Sequence, residues 1–353
     1  MTSPALVAVG GYSTSGSGRG TGIALLRVTP DDSGAAAETL WEVAAADPSF
    51  LLWSADGSLL HAVTETSPTH VLTLRVAEDG SSGEIIGDLE LAGSGGCHLA
   101  PGTRPDTLLV ANYGSGSVET VRLDAEGLPV ELLDLDDHHD YAEDRDPHPH
   151  QVVRLPGTEL LAVPDLGLDR VVLYRQVQTG HIEPAGEIPF SRGSGPRHLA
   201  ADHESSQLLV SCELSGKVGV AVRGEVPQDV GALQVMRGPE LEWSVRSMVP
   251  ASGRPEESAL SHVELAADEH HALVANRGPD TIALFSLAGM RPELVAEVSV
   301  GAHPRHFTQL GTTILVAAQE GDRIDVLRRH QDTLEVAGDP IPAPSVSCLA
   351  PRP

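Results

Sequence analysis

Residues 95–118 read GGCHLAPGTRPDTLLVANYGSGSV. A short segment carrying His98 meets a Pro- and Gly-containing turn, followed by the apolar run LLVA ending at Ala111. A Gly/Ser turn from Gly114 to Gly116 then opens a further segment at Val118. Apolar runs of four to six residues bounded by turn residues have the length of strands and are too short for helices. Comparable runs end at Val9, Val163, Ser211, Ala275 and Ala318, each with a polar turn and an alternating segment behind it. With 36 glycines, 26 prolines and few stretches of helical periodicity in 353 residues, the chain is expected to be all-β.

Aligning the runs exposes a repeat. The marker occupied by His98 recurs at Phe50, His150, His198, His262 and His306, at intervals of 48, 52, 48, 64 and 44 residues. That period matches a four-stranded propeller blade, and the long interval predicts an insertion between Val222 and Leu260. Six units begin near Pro48, whereas the N-terminal segment supplies only the later strands of a unit. The C-terminal SVSCL, Ser345 to Leu349, places Cys348 at the marker and can provide the missing inner strand. The prediction is one domain over residues 1–353, a seven-bladed β-propeller whose ring is closed by the C-terminal strand pairing with the N-terminal strands. Closure removes free sheet edges, so a monomer is expected.

Composition narrows the partners. With 23 basic and 50 acidic side chains the net charge is −27, which argues against nucleic acid as a ligand. No apolar run approaches 18 residues, and Met1 to Gly11 lack the basic and apolar regions of a secretory leader, so neither a membrane span nor export is expected and the cytoplasm is the expected compartment. Three scattered cysteines, Cys97, Cys212 and Cys348, fit a reducing interior. The Gly-rich stretches lack the setting of a phosphate loop and read as hairpin turns, so no cofactor is expected.

In a blade, the start of the first strand and the end of the second lie at one mouth of the channel. A histidine repeated at five equivalent positions reads as a structural device shared by the blades. Residues that break the repeat are better site candidates: His148, Arg197, Arg277, Arg305 and Glu213 place charge or imidazole where other blades carry Ser, Cys, Pro, Asn or Gln. The segment DLDDHHDYAEDRDPHPH, Asp134 to His150, holds four histidines and seven acidic residues. It lacks a recognised ligand spacing, reads as a solvated acidic loop, and no metal is assigned to it. Cys97 reads as a small buried thiol.

The ordered motifs GGCHLA with LLVANYGSGSV, HPHQVV with VPDLGLDRVVLYR, GPRHLA with ELSGKV, SHVEL with LVANRGPDTIALF, and HPRHF together resemble the lactonase-type seven-bladed propellers, typified by bacterial 6-phosphogluconolactonase and distantly related to carboxymuconate lactonising enzymes. The resemblance implies a site made of His148, His150, Arg197, Glu213 and Arg277. Arg305 belongs beside them by repeat geometry, and His198, Asn112 and Asp165 are expected to contact substrate. The implied reaction opens a small anionic sugar lactone, 6-phosphogluconolactone to 6-phosphogluconate. His148 or His150 is the base, with Glu213 orienting or replacing it, and the arginines bind the anion or polarise the carbonyl. The alternatives are a carboxymuconate-type cycloisomerase or lactonase, and a non-catalytic propeller that binds a ligand or a protein.

Overall fold

A computed structural model describes residues 4–31, 34–142, 144–224 and 243–353. The strands form seven antiparallel sheets, each a blade. Blade 1 comprises Pro48–Trp53, Leu59–Thr64, His70–Val76 and Gly83–Glu90, and blade 2 Gly96–Pro101, Thr107–Asn112, Ser117–Leu123 and Pro129–Asp137. Blade 3 runs Val153–Arg154, Leu160–Asp165, Arg170–Gln176 and Ile182–Pro189, and blade 4 Pro196–Ala201, Gln207–Cys212, Lys217–Arg223 and Trp243–Pro250. Blade 5 is Ala259–Leu265, His271–Arg277, Thr281–Ser286 and Glu293–Ser299. Blade 6 is Pro304–Leu310, Thr313–Ala318, Arg323–His330 and Thr333–Val336, with Ile341–Pro342 also on its third strand. The insertion foreseen between Val222 and Leu260 falls partly at 225–242, outside the described residues.

Blade 7 closes the ring as the count of units requires. Its inner strand is the C-terminal Val346–Pro351, which pairs with Ala5–Gly11 in the register Val7↔Pro351, Ala8↔Ala350, Val9↔Leu349 and Gly10↔Cys348. Gly22–Asp31 and Gly34–Ala44 complete it. Gly10 is required here, because a Cβ would lie 2.5 Å from the Pro48 carbonyl oxygen of blade 1.

The hydrophobic core lies between blades. Leu160, Ala162, Val171 and Leu173 of blade 3 pack on Leu208, Val210 and Trp243 of blade 4, all buried. Burying the inward residues of each strand removes apolar surface from water at roughly 25 cal/mol per Å². Among the described residues no helix is long and apolar enough to cross a membrane.

Six of the seven inner strands carry a one-residue bulge next to the marker. Small residues there clip neighbouring blades together: Ser49 Oγ donates to Gly96 O (3.2 Å), Ser261 Oγ to Pro304 O (2.5 Å) and Ser347 Oγ to Ser49 O (2.9 Å). Arg197 and Arg305 occupy this position in blades 4 and 6. Bulges re-aim side chains, and in these two blades the re-aimed side chain is a guanidinium.

Blade 3 departs from the repeat. Its inner strand is reduced to Val153–Arg154, with an isolated bridge between Pro149 and Asp165. The reason is Pro164 on the second strand, which accepts from His150 N–H (3.0 Å) but has no N–H to return. The vacant acceptor, His150 O, is met by the Cys97 thiol at 3.5 Å.

Candidate active site

In six of the seven blades the residue following the second strand is held at one mouth by a repeated bond, its N–H donating to a carbonyl on the approach to the inner strand. Glu65 donates to Asp47 O, Tyr113 to Gly95 O, Leu166 to His148 O, Glu213 to Gly195 O, Gln319 to His303 O and Tyr12 to Ser345 O. Strand side chains alternate faces, so the preceding residues point elsewhere. That corrects two expected substrate contacts. Asn112 is fully buried, its amide 2.9 Å from Glu119 Oε2. Asp165 is fully buried as well, and both of its oxygens are taken.

The marker residues fill the channel below this mouth. Phe50 lies 3.9 Å from His98 between ring centroids, His150 5.3 Å and His262 5.1 Å from His198, and His306 4.2 Å from His262. Burial holds the pKa values of His98, His150, His198, His262 and His306 below the ordinary imidazole range, and Arg197 adds to the effect at each. These rings are therefore neutral packing groups. His198, 3% exposed with Nδ1 2.8 Å from His262 Nδ1, belongs to this packing, contrary to its expected role as a substrate contact. His150 is likewise buried, with Nδ1 3.6 Å from Cys97 Sγ. Burial pushes the Cys97 thiol up to about 12, which removes it as a nucleophile at neutral pH.

At the mouth, one carboxylate gathers two arginines. Glu213 Oε2 lies 3.0 Å from Arg197 Nε and 2.5 Å from Arg277 Nη2. Arg277 is also fixed through Nε to Ala259 O and Nη2 to Leu260 O. Arg197 is only 2% exposed, and its Nη1 has no hydrogen-bond partner among the described residues. Burial and the charge of Arg277 work against its ionised form, with Glu213 opposing them. A buried, incompletely bonded guanidinium is a receptor for a carbonyl or an anion. A cavity of about 750 Å³ opens over Glu213, Arg277 and His303.

His148 is partly exposed, and its ring stacks on Tyr113 with centroids 4.2 Å apart. Its Nδ1 is 2.9 Å from Tyr113 O. A carbonyl only accepts, so Nδ1 carries a hydrogen, which places the lone pair of the neutral ring on Nε2. Among the described residues Glu213 bonds to neither His148 nor His150, so Tyr113 orients His148, contrary to the expected orienting role of Glu213.

The acidic segment before His148 is only partly solvated, contrary to the solvated loop expected from its composition. His138 opens a single 3₁₀ turn, His138–Tyr141, and is fully buried, with Nδ1 2.6 Å from Asp165 Oδ2 and Nε2 2.7 Å from the Tyr174 hydroxyl. Tyr174 gives its only O–H to Asp136 Oδ2 (2.5 Å). The Tyr174 hydroxyl thus bridges the His138 ring to Asp136, and His138 is held between groups from two other strands. Among the described residues no group of three or more His, Cys, Asp or Glu is arranged to hold a metal ion.

Arg305 is paired across blade 7. Its Nη2 is 3.3 Å from Glu65 Oε2, its guanidinium carbon 5.3 Å from the Tyr12 ring centroid, and Tyr12 donates its O–H to the same Glu65 oxygen at 2.7 Å. Its charge is thus matched within the protein. Glu65, Tyr12 and His303 were not among the site residues expected from the sequence. Tyr12 had a usable signal, since it lies three residues past the apolar run ending at Val9, close to the place Glu213 takes two residues past the run ending at Ser211.

The profile described as "Lactonase, 7-bladed beta-propeller" matches residues 6–351. The chain belongs to the seven-bladed lactonase family. Among members and neighbours of this lactonase fold, a Bacillus subtilis 6-phosphogluconolactonase is 28% identical over 69% of this chain and 68% of its own length. An uncharacterised protein of Staphylococcus epidermidis is 27% identical over 78% of this chain and 80% of its own. In structure, the periplasmic gluconolactonase of Pseudomonas aeruginosa superposes with a TM-score of 0.86 at 24% identity, covering 99% of each chain, which speaks to the fold.

Proposed function

We propose that this lactonase-family protein hydrolyses a sugar lactone, with 6-phosphoglucono-1,5-lactone opened to 6-phosphogluconate as the first reaction to assay. The observation that carries the reading is Arg197: a buried guanidinium with an unbonded Nη1, beside the Glu213–Arg277 pair at the mouth. His148 Nε2 takes a proton from water, the water oxygen attacks the lactone carbonyl, and the developing oxyanion is met by Arg197 and Arg277. Collapse breaks the bond to the ring oxygen, which leaves as a hydroxyl with the proton returned by His148. Glu213 holds the two guanidiniums in position. A positioned base contributes typically about 10²–10⁴ in rate, and preorganised donors at an oxyanion a further factor of about 10²–10³.

A guanidinium fork accepts a carboxylate as readily as a phosphate, so a carboxymuconate-type substrate is the second reading. The test is hydrolysis of freshly prepared 6-phosphoglucono-1,5-lactone against its spontaneous rate, with and without chelator, alongside carboxymuconate. Acceleration that survives the chelator supports the His148 and arginine mechanism. Turnover of carboxymuconate alone favours the second reading, and acceleration of neither substrate overturns both and leaves a ligand-binding propeller.

A further inference from the structure

The catalytic groups proposed above come from blades 3, 4 and 5. Across the mouth, blades 6, 7 and 1 present Gln319, Tyr12 and Glu65 at the same repeat position, each tied down by the same backbone bond. Glu65 is the counterpart of Glu213, and Arg305 occupies the bulge position of Arg197. The mouth thus holds two carboxylate–arginine pairs. In the second, Tyr12 and Arg305 both occupy Glu65 Oε2, and among the described residues Oε1 bonds to nothing although the side chain is 25% exposed. Gln319 Oε1 is buried and likewise unpartnered. A cavity of about 530 Å³ is lined by Tyr12, Arg19, Gln319 and Glu320 among others. Glu320 lies 3.4 Å from Nδ1 of His303, which lines the larger cavity.

Beside the remaining N–H groups of Arg305 stand two unmet acceptors, Glu65 Oε1 and Gln319 Oε1. A phosphate or carboxylate has no donor for them and would face the charge of Glu65, whereas a hydroxyl donates to Oε1 of either residue and accepts from the remaining N–H groups of Arg305. We infer that Glu65, with Arg305, Tyr12 and Gln319, forms a hydroxyl-binding subsite that recognises the polyol portion of a polyhydroxylated lactone or aldonate. The inference rests on the lactonase reading and revises the expectation that Arg305 anchors an anion. It assigns the anionic or electrophilic end of the ligand to Arg197 and Arg277, and the hydroxylated end to Glu65.

The test compares kcat/KM for glucono-1,5-lactone and for δ-valerolactone, which lacks hydroxyls. Hydrogen bonds to charged groups are worth about 1.5–3 kcal/mol, so Glu65→Gln is expected to lower the ratio of the two values roughly 10- to 100-fold, chiefly through KM for the hydroxylated lactone. Tyr12→Phe, which frees only one bond to Oε2, should lower the ratio by less. Gluconate binding, followed calorimetrically, should weaken in parallel in Glu65→Gln. A structural role moves both substrates together and leaves the ratio unchanged; that result, or unaltered gluconate affinity in a folded Glu65→Gln protein, overturns the subsite. A wild-type protein that binds gluconate through Glu65 but opens neither lactone would sink the proposed reaction and keep the subsite.

Discussion

Asp165 Oδ1 accepts the backbone N–H of His148 at 2.9 Å, while its Oδ2 holds buried His138 at 2.6 Å. One fully buried carboxylate thus fastens the start of the blade 3 inner segment to the end of its second strand. The same Oδ1 also takes Leu168 N–H at 2.9 Å. Close packing completes the arrangement at Gly167, where a Cβ would lie 1.8 Å from Asp146 O and 3.2 Å from His148 Cδ2.

Asp165→Asn replaces one acceptor oxygen with a donor and removes the charge facing His138. Breaking a buried pair from one side costs about 3–5 kcal/mol. The variant should therefore unfold at markedly lower denaturant and, if His148 is the base, lose turnover with little change in KM. Unaltered denaturation would show that Asp165 is not under the load its contacts suggest.

His148 is the better base of the HPH pair, because it is partly exposed and its Nδ1–H is fixed by Tyr113 O. His148→Gln should lower kcat by about 10²–10⁴ with the fold retained. His150→Gln should act mainly on stability, because that ring is buried in the channel packing. Steady-state kinetics paired with thermal melts separate the two, and equal kinetic losses in both variants would argue against this division.

Glu213→Gln leaves Arg197 and Arg277 without their shared counter-charge, and Arg197→Ala empties the buried anion position. Both should lower kcat, Arg197→Ala because an oxyanion donor is lost, and the second should also raise KM for an anionic lactone. Wild-type kinetics in both would remove the mouth of blades 4 and 5 from the reaction.

The channel histidines make stability depend on pH. The folded-state pKa of His262 is pulled down to about 3 by burial, with Arg197 contributing, and His98, His150, His198 and His306 shift in the same direction. As pH falls below about 6.5 the unfolded chain binds protons that the folded ring refuses, so stability is lost between that pH and the depressed folded values. For His262 the loss is about 2 kcal/mol by pH 5. Calorimetric Tm should drop steeply from pH 6.5 to 4.5, and His262→Phe should flatten the slope. A level Tm across that range would contradict neutral channel rings.

The sequence by itself determined the blade count, the closure by the C-terminal strand and the ring of mouth positions, because each depends on local periodicity. Alternation of side chains and a repeat near 48 residues are properties of neighbouring residues, and they register in the chain directly. Arg197, Glu213 and Arg277 stood out for the same reason, as charges breaking a repeat.

Tertiary structure decided which charges meet. Arg305 finds Glu65 at a separation of 240 residues, and Tyr12 joins them only because Val346–Pro351 seals blade 7 beside it. Partner choice across the mouth depends on the circumference of the closed ring and on bulges that re-aim side chains, neither of which has a local signature. The same limit hid His138: seven acidic neighbours describe a solvated loop, whereas the ring is buried because Asp165, Tyr174 and Asp136 arrive from other strands to satisfy it. Composition reports the average environment of a segment, and only the assembled fold supplies the partners that let one of its residues leave water.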